Sequence, residues 1–154
     1  DAVQAYEMGL AGVVLSNHGG RQLDFARSGV EVLEEVMREL RKRGSFPNPA
    51  FQVMVDGGFR RGTDILKALA MGATAVGIGR PFLYAYSAYG VDGVIHAINL
   101  LRDELEMNMR LIGARSIEEL VPSMVDLSAL HNHTGAVFPK QDQSVLDFME
   151  KSRL

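Results

Sequence analysis

Gly12-Val13-Val14-Leu15-Ser16-Asn17-His18-Gly19-Gly20-Arg21-Gln22-Leu23-Asp24 is the stretch around which the chain is organised. Its first residues are apolar and β-branched, the mark of a short buried strand. The strand then breaks into a polar loop with two adjacent glycines, a histidine and, three residues further on, an arginine. Histidine exchanges its proton near neutral pH. Arginine offers a planar fork that holds a carboxylate through two parallel bonds. Glycine lets backbone approach a ligand closely, and Ser16 and Asn17 can donate hydrogen bonds. A strand ending in this set reads as the wall of a site, with His18 as general base and Arg21 as carboxylate clamp.

Two later strands end in the same way. Residues 51–55 run into Asp56-Gly57-Gly58-Phe59-Arg60-Arg61-Gly62, and residues 73–78 into Gly79-Arg80-Pro81. Glycine N–H groups and arginines at strand ends converge readily on an anion. An arginine in both loops points to a dianionic phosphate.

Helices separate these strands. Residues 2–8 have helical spacing and close on Gly9. Ser28 and Glu31 form a capping box ahead of the stripe Val32, Leu33, Val36, Met37 and Leu40. Arg38, Arg41, Lys42 and Arg43 crowd the end of that helix, where they suit its dipole without any nucleic-acid role. Thr63 or Asp64 caps a helix with Ile65, Leu66 and Leu69 inward, closed by Gly72. A long amphipathic helix is expected over about 92–111, with Val94, Ile98, Leu101, Leu105 and Met109 on one face. A short partner helix, capped by Ser116 and Glu119 and stopped by Pro122, follows it, and residues 144–151 read as a last turn or two.

Strands alternating with helices, joined by connections too long for hairpins, mean a parallel α/β fold. No G-x-G-x-x-G turn follows a strand, so a dinucleotide-type fold is disfavoured. The pattern fits the C-terminal portion of a (β/α)8 TIM barrel, about three βα units plus C-terminal helices, with its phosphate site in the last strand-to-helix loops. Residues 1–130 are assigned to that barrel portion and 131–154 to a tail. The chain opens on Asp1 as if midway into a helix, and three strands cannot close a barrel of eight, so a piece of a longer protein is expected.

Composition is that of a globular domain: 154 residues, 47% hydrophobic, 23% charged, net charge −3. That charge gives no pull toward nucleic acid or anionic membrane. There is no cysteine, hence no disulfide or thiolate metal site. No apolar run approaches the roughly 20 residues of a membrane span. The 8 methionines read as core filler and His96 as structural. His131-Asn132-His133 lacks a third ligand at fixed spacing, so no metal is assigned.

The stretch Ser16–Asp24, the stretch from Asp56 to Asp64 and Gly77-Ile78-Gly79-Arg80-Pro81-Phe82 together resemble, in order, the signatures of the FMN-dependent α-hydroxy-acid dehydrogenases and oxidases. That family includes glycolate oxidase, L-lactate oxidase and the fungal flavocytochrome L-lactate dehydrogenases. Phe82-Leu83-Tyr84-Ala85 and Leu101-Arg102-Asp103-Glu104-Leu105-Glu106 lean toward the fungal branch. The resemblance runs from Asp1 to about Leu130 and implies a (β/α)8 barrel with FMN at its C-terminal mouth.

By that resemblance His18 takes a proton from an L-2-hydroxy acid of the lactate or glycolate class while two electrons pass to the flavin, by a carbanion or a hydride route. Arg21 binds the substrate carboxylate and Ser16 touches the flavin ring. Asp56, Gly57, Gly58, Arg60, Gly79 and Arg80 lie along the ribityl chain and phosphate. The family's flavin-contacting lysine, substrate tyrosines and the aspartate that partners its histidine have no counterparts here, since they lie upstream of Asp1. The implied partners are the hydroxy acid, an electron acceptor that is oxygen or a cytochrome, and further copies of the protein in a homo-oligomer. Alternatives are a non-redox phosphate-binding barrel enzyme, or an inactive piece acting only as an association surface.

Ser152-Arg153-Leu154 resembles the S-K-L peroxisomal address, provided that Leu154 ends the protein. The glycolate-oxidase branch is peroxisomal and the fungal flavocytochromes mitochondrial, so tail and body point to different compartments. The expectation is peroxisomal, with mitochondria as the alternative.

Overall fold

The computed structural model describes residues 1–130. The tail from 131, with His131, His133, the expected turn at 144–151 and the terminal tripeptide, lies outside the described residues. Three strands, β1 (Gly12–Leu15), β2 (Gln52–Asp56) and β3 (Ala75–Gly77), form one sheet in the order β1-β2-β3. Both pairings are parallel, with Val13 opposite Val53, Leu15 opposite Val55 and Asp56 opposite Gly77. The strands are shifted from their apolar runs or up to three residues shorter, β3 most of all, because the ladder and not hydrophobicity sets their ends.

Parallel neighbours need a crossover, and here the crossovers are helices. They are α1 (Ala2–Glu7), α2 (Gly29–Lys42), α3 (Gly62–Met71) and α4 (Arg80–Ile112). The Ser28–Glu31 capping box is formed: Ser28 Oγ accepts from the Glu31 N–H at 3.3 Å, and Glu31 Oε2 accepts from the Ser28 N–H at 2.8 Å. At the end of α2, Arg38 pairs with Glu34, Arg43 with Glu39 and Glu7, and Arg41 donates to the Met71 carbonyl at 2.5 Å while lying over the Phe46 ring. Three of the four basic residues in this cluster, Arg38, Arg41 and Arg43, are therefore engaged in structural contacts.

The helices cover one face of the sheet. Leu33, Met37 and Leu40 of α2 pack on Val53 and Val55, and all five are fully buried. Tyr6 of α1 meets Phe51 edge-on, ring centres 5.4 Å apart. Each fully buried aliphatic side chain contributes about 1.5–3 kcal/mol by removal from water. The opposite face is bare: Val14, whose side chain should be covered if the strand were buried on both sides, is 60% exposed.

Several expectations are corrected. Neither Thr63 nor Asp64 is the N-cap of α3; Arg61 is, and Asp64 sits one turn in, its carboxylate accepting the N–H groups of Arg60 at 3.1 Å and Arg61 at 3.0 Å. Gly90 (φ 61°, ψ −146°) is not helical and divides α4 in two: the part after it is the helix expected from about Asp92, whereas the part that starts at Arg80, with Pro81 in its first turn, was not expected. Pro81 favours that start because its fixed φ suits a first turn. The expected partner helix is two single 3-10 turns, Ile117–Glu119 and Pro122–Met124, which leave Ser116 without a side-chain capping bond. Of the expected α4 stripe, Leu105 and Met109 join a second small core with Leu66, Ala70, Ala114 and Leu120, whereas Ile98 is half exposed. Met37 and Met71 are core residues, but Met8 and Met107 are exposed, and so is His96.

Candidate active site

The C-terminal ends of all three strands open onto one cavity of about 720 Å³. Its wall includes Gly19 and Arg21 after β1, Asp56, Gly57, Gly58 and Arg60 after β2, and Gly79 and Arg80 after β3. Of the nine residues expected at the site, the structure brings these seven together: Arg21, Asp56, Gly57, Gly58, Arg60, Gly79 and Arg80. Ser16 and His18 are not among the lining residues; both are exposed on the loop that forms the cavity's rim.

That loop is held by its own polar atoms. Ser16 Oγ accepts from the His18 N–H at 3.0 Å, and Asn17 Oδ1 accepts from the Gly20 N–H at 3.1 Å. Ser16 and Asn17 thus act as acceptors toward backbone. His18, Gly19 and Gly20 are left-handed in succession, with φ of 56°, 67° and 69°. A non-glycine residue there costs about 1–2 kcal/mol. Strain at the residue expected to act as base matches the tendency of functional sites to hold such conformations.

The second loop forms a cradle. Gly57 and Gly58 have φ of 91° and 89°, and a Cβ built on Gly58 meets nothing within 4 Å, so the space above its backbone is open. A side chain would strain the backbone and fill that space. Beside them Asp56 Oδ1 is buried and has no hydrogen-bond partner. A buried carboxylate oxygen costs free energy unless something donates to it. On the third side, α4 starts at the cavity wall with Gly79 as its N-cap and no side-chain cap, so the positive end of its dipole lies there. An acceptor awaiting a hydroxyl, a glycine cradle, a positive helix end and two arginines fit a group that carries hydroxyls on one part and a phosphate on another.

Arg60 and Arg61 divide. Arg60 lines the cavity and is exposed. Arg61 points the other way and is clasped by Glu104 of α4, with Nε at 2.9 and 3.1 Å and Nη2 at 2.7 Å from its carboxylate oxygens. Glu104 also accepts the Gly62 N–H at 2.8 Å. The bonds from Arg61 and then from Gly62 hold the Glu104 carboxyl below its ordinary range. The close fit demands glycine at 62, where a Cβ would fall 2.4 Å from the Leu105 nitrogen. Sequence reading missed Glu104, which carries no local signal, and also missed Leu83 and Tyr84, which complete the cavity wall from the first turns of α4. Pro81 could have exposed those two by marking a helix start.

Among the described residues no cluster of three or more His, Asp or Glu is placed to hold a metal, and no helix is long and apolar enough to cross a membrane.

Known proteins resemble this chain in sequence and fold. Residues 1–127 match the family described as FMN-dependent dehydrogenase. An L-lactate dehydrogenase (cytochrome) of Wickerhamomyces anomalus is 60% identical over 132 residues, covering 86% of this chain and 23% of that protein. A peroxisomal (S)-2-hydroxyacid oxidase of Arabidopsis thaliana is 47% identical over 125 residues, 81% of this chain and 32% of that protein. A solved flavocytochrome b2 mutant with pyruvate bound superposes with a TM-score of 0.82 at 56% identity, covering 91% of this chain and 36% of that one. The chain thus spans about a quarter to a third of the length of these relatives.

Proposed function

Because the chain belongs to the family of FMN-dependent dehydrogenases, we propose that it supplies the base and the cofactor-phosphate grip of an enzyme oxidising an L-2-hydroxy acid of the lactate or glycolate class to the 2-oxo acid. Its three strand–helix units are then the last of a (β/α)8 barrel, with the cavity at the C-terminal mouth. One observation carries this reading. The ends of three successive parallel strands bring Arg21, the unpartnered Asp56 Oδ1 and two further arginines, Arg60 and Arg80, around one cavity.

Each residue then has a task. Arg21 takes the substrate carboxylate in its fork and so fixes which face of the α-carbon meets the base. His18 receives a proton from the substrate's α-carbon or α-hydroxyl, as a base suited to neutral pH. Ser16, whose Oγ already accepts from the His18 N–H, still has its hydroxyl hydrogen to donate toward the flavin ring. Asp56 accepts a ribityl hydroxyl. Gly57, Gly58, Arg60, Gly79 and Arg80 hold the phosphate with backbone N–H groups and guanidinium forks. FMN, when bound, takes up the two electrons.

The full-length protein should be yellow, and its flavin band should bleach on adding L-lactate or glycolate without air. His18→Gln should slow bleaching by roughly 10²–10⁴, the scale of losing a general base, while the colour stays. A colourless protein that takes up no FMN overturns the reading.

Acceptor and address follow from two further observations. If Leu154 ends the protein, Ser152-Arg153-Leu154 is a peroxisomal address, and oxygen is then the acceptor. The higher identity to a cytochrome-named dehydrogenase than to a peroxisomal oxidase, 60% against 47%, supports a cytochrome and mitochondria instead. A fluorescent protein ending in residues 141–154 decides between them: puncta lost on deleting Leu154 mean peroxisomes, and a diffuse signal removes that address.

A further inference from the structure

We propose that Arg80 is a positioning residue for the His18 loop, a strut through which the cofactor-phosphate loop sets the place of the base. The inference rests on the proposed roles of His18 and Arg80 and adds a physical link between them. Arg80 Nη2 donates to the Gly19 carbonyl at 3.0 Å, across 61 positions of sequence. That carbonyl belongs to the residue directly after His18. A Cβ built on Gly19 would fall 3.3 Å from Arg80 Nη2 and 3.9 Å from its Cζ, so the guanidinium also packs on this backbone.

The loop has reason to need such a support. His18, Gly19 and Gly20 are all left-handed, and their other bonds, from the His18 and Gly20 N–H groups, run to Ser16 and Asn17 within the same loop. A sparsely populated conformation persists where surrounding contacts over-determine it. Arg80 contributes such a contact from the start of α4. Its guanidinium has five N–H donors in a rigid fork. One engages Gly19, and the others remain for an anion in the cavity that Gly19 and Arg80 both line. An anion that fixes the guanidinium therefore also fixes the Gly19 carbonyl and, through it, His18. Lysine would supply the charge but, lacking the fork, cannot serve both partners in that geometry.

The test reads His18 directly, in full-length protein with ring-13C histidine, its signal identified by loss in His18→Gln. In the flavin-free protein Arg80→Lys should shift and broaden that signal, although no phosphate is there to lose. At saturating FMN the same variant should lose about 10²-fold in kcat/KM, as for a displaced reacting group, chiefly through kcat. A His18 signal in flavin-free Arg80→Lys that coincides with wild type overturns the strut. Near-UV circular dichroism reports whether that variant folds. If it does not, Arg80→Ala decides, since millimolar guanidinium ion should restore the wild-type His18 signal, and failure to do so overturns the proposal. The flavin-free measurement does not depend on what the protein oxidises, so a wild type that binds no FMN would sink the functional reading and leave this link to be judged alone.

Discussion

Arg60 and Arg61 are adjacent, alike in sequence and opposite in task. Arg60 faces the cavity, whereas Arg61 is clasped to Glu104 on α4. Arg60→Lys should weaken flavin binding with little change in melting temperature, because a point charge replaces a fork. Arg61→Lys should do the reverse, lowering the melting temperature with flavin affinity near wild type. Flavin titration and thermal melting of the full-length variants check both, and equal effects from the two would sink the division. Arg21→Lys should raise KM with a smaller change in kcat, as a substrate clamp predicts. At this scale placement was legible: residue types at strand ends pointed to Arg21, Asp56 and Arg80, and all three line the cavity. The choice of Arg60 over Arg61 came from the family resemblance and not from residue type, because it depends on where α3 starts, and the start is set by Asp64 reaching back to the Arg60 and Arg61 N–H groups.

The elements are coupled through the same carboxylate. Glu104 joins α4 to the first turn of α3 and is held below the ordinary carboxyl value of 4.5 by Arg61 and the Gly62 N–H. A carboxyl depressed in the folded state adds stability at pH above its unfolded value, and that contribution is lost as pH falls through the folded one. The melting temperature should therefore drop as pH falls below about 4.5, and Glu104→Gln should flatten part of that slope while lowering stability at neutral pH. An acid slope unchanged by Glu104→Gln would remove the clasp from the account. Nothing local in the sequence gives this pair, since 43 positions separate its members. The capping box at Ser28 and Glu31 was readable because both its partners lie within one turn. The first turns of α4 were hidden by Gly79-Arg80-Pro81, which serves at once as loop end and helix start.

On the scale of the whole chain, the covered and bare faces of the sheet demand different things. The covered face carries Leu33, fully buried, and Leu33→Ala should cost about 2–5 kcal/mol by the cavity it leaves. The bare face carries Val14, 60% exposed, and both outer strands have unpaired edges in the described residues. On α4, Leu83, Val91, Ile95 and Leu100 are each more than half exposed. Exposed apolar surface next to open strand edges favours pairing with other chains. The chain spans 36% of the matched flavocytochrome b2, and these bare surfaces are the natural ones to be sticky. Made alone, residues 1–154 should associate or lose fixed packing, and should bind FMN far more weakly than the full-length protein. Light scattering against concentration, near-UV circular dichroism and a flavin titration read the three outcomes. A monodisperse monomer with sharp near-UV bands would mean that the bare face is stable in water and that three strand–helix units suffice as a folding unit.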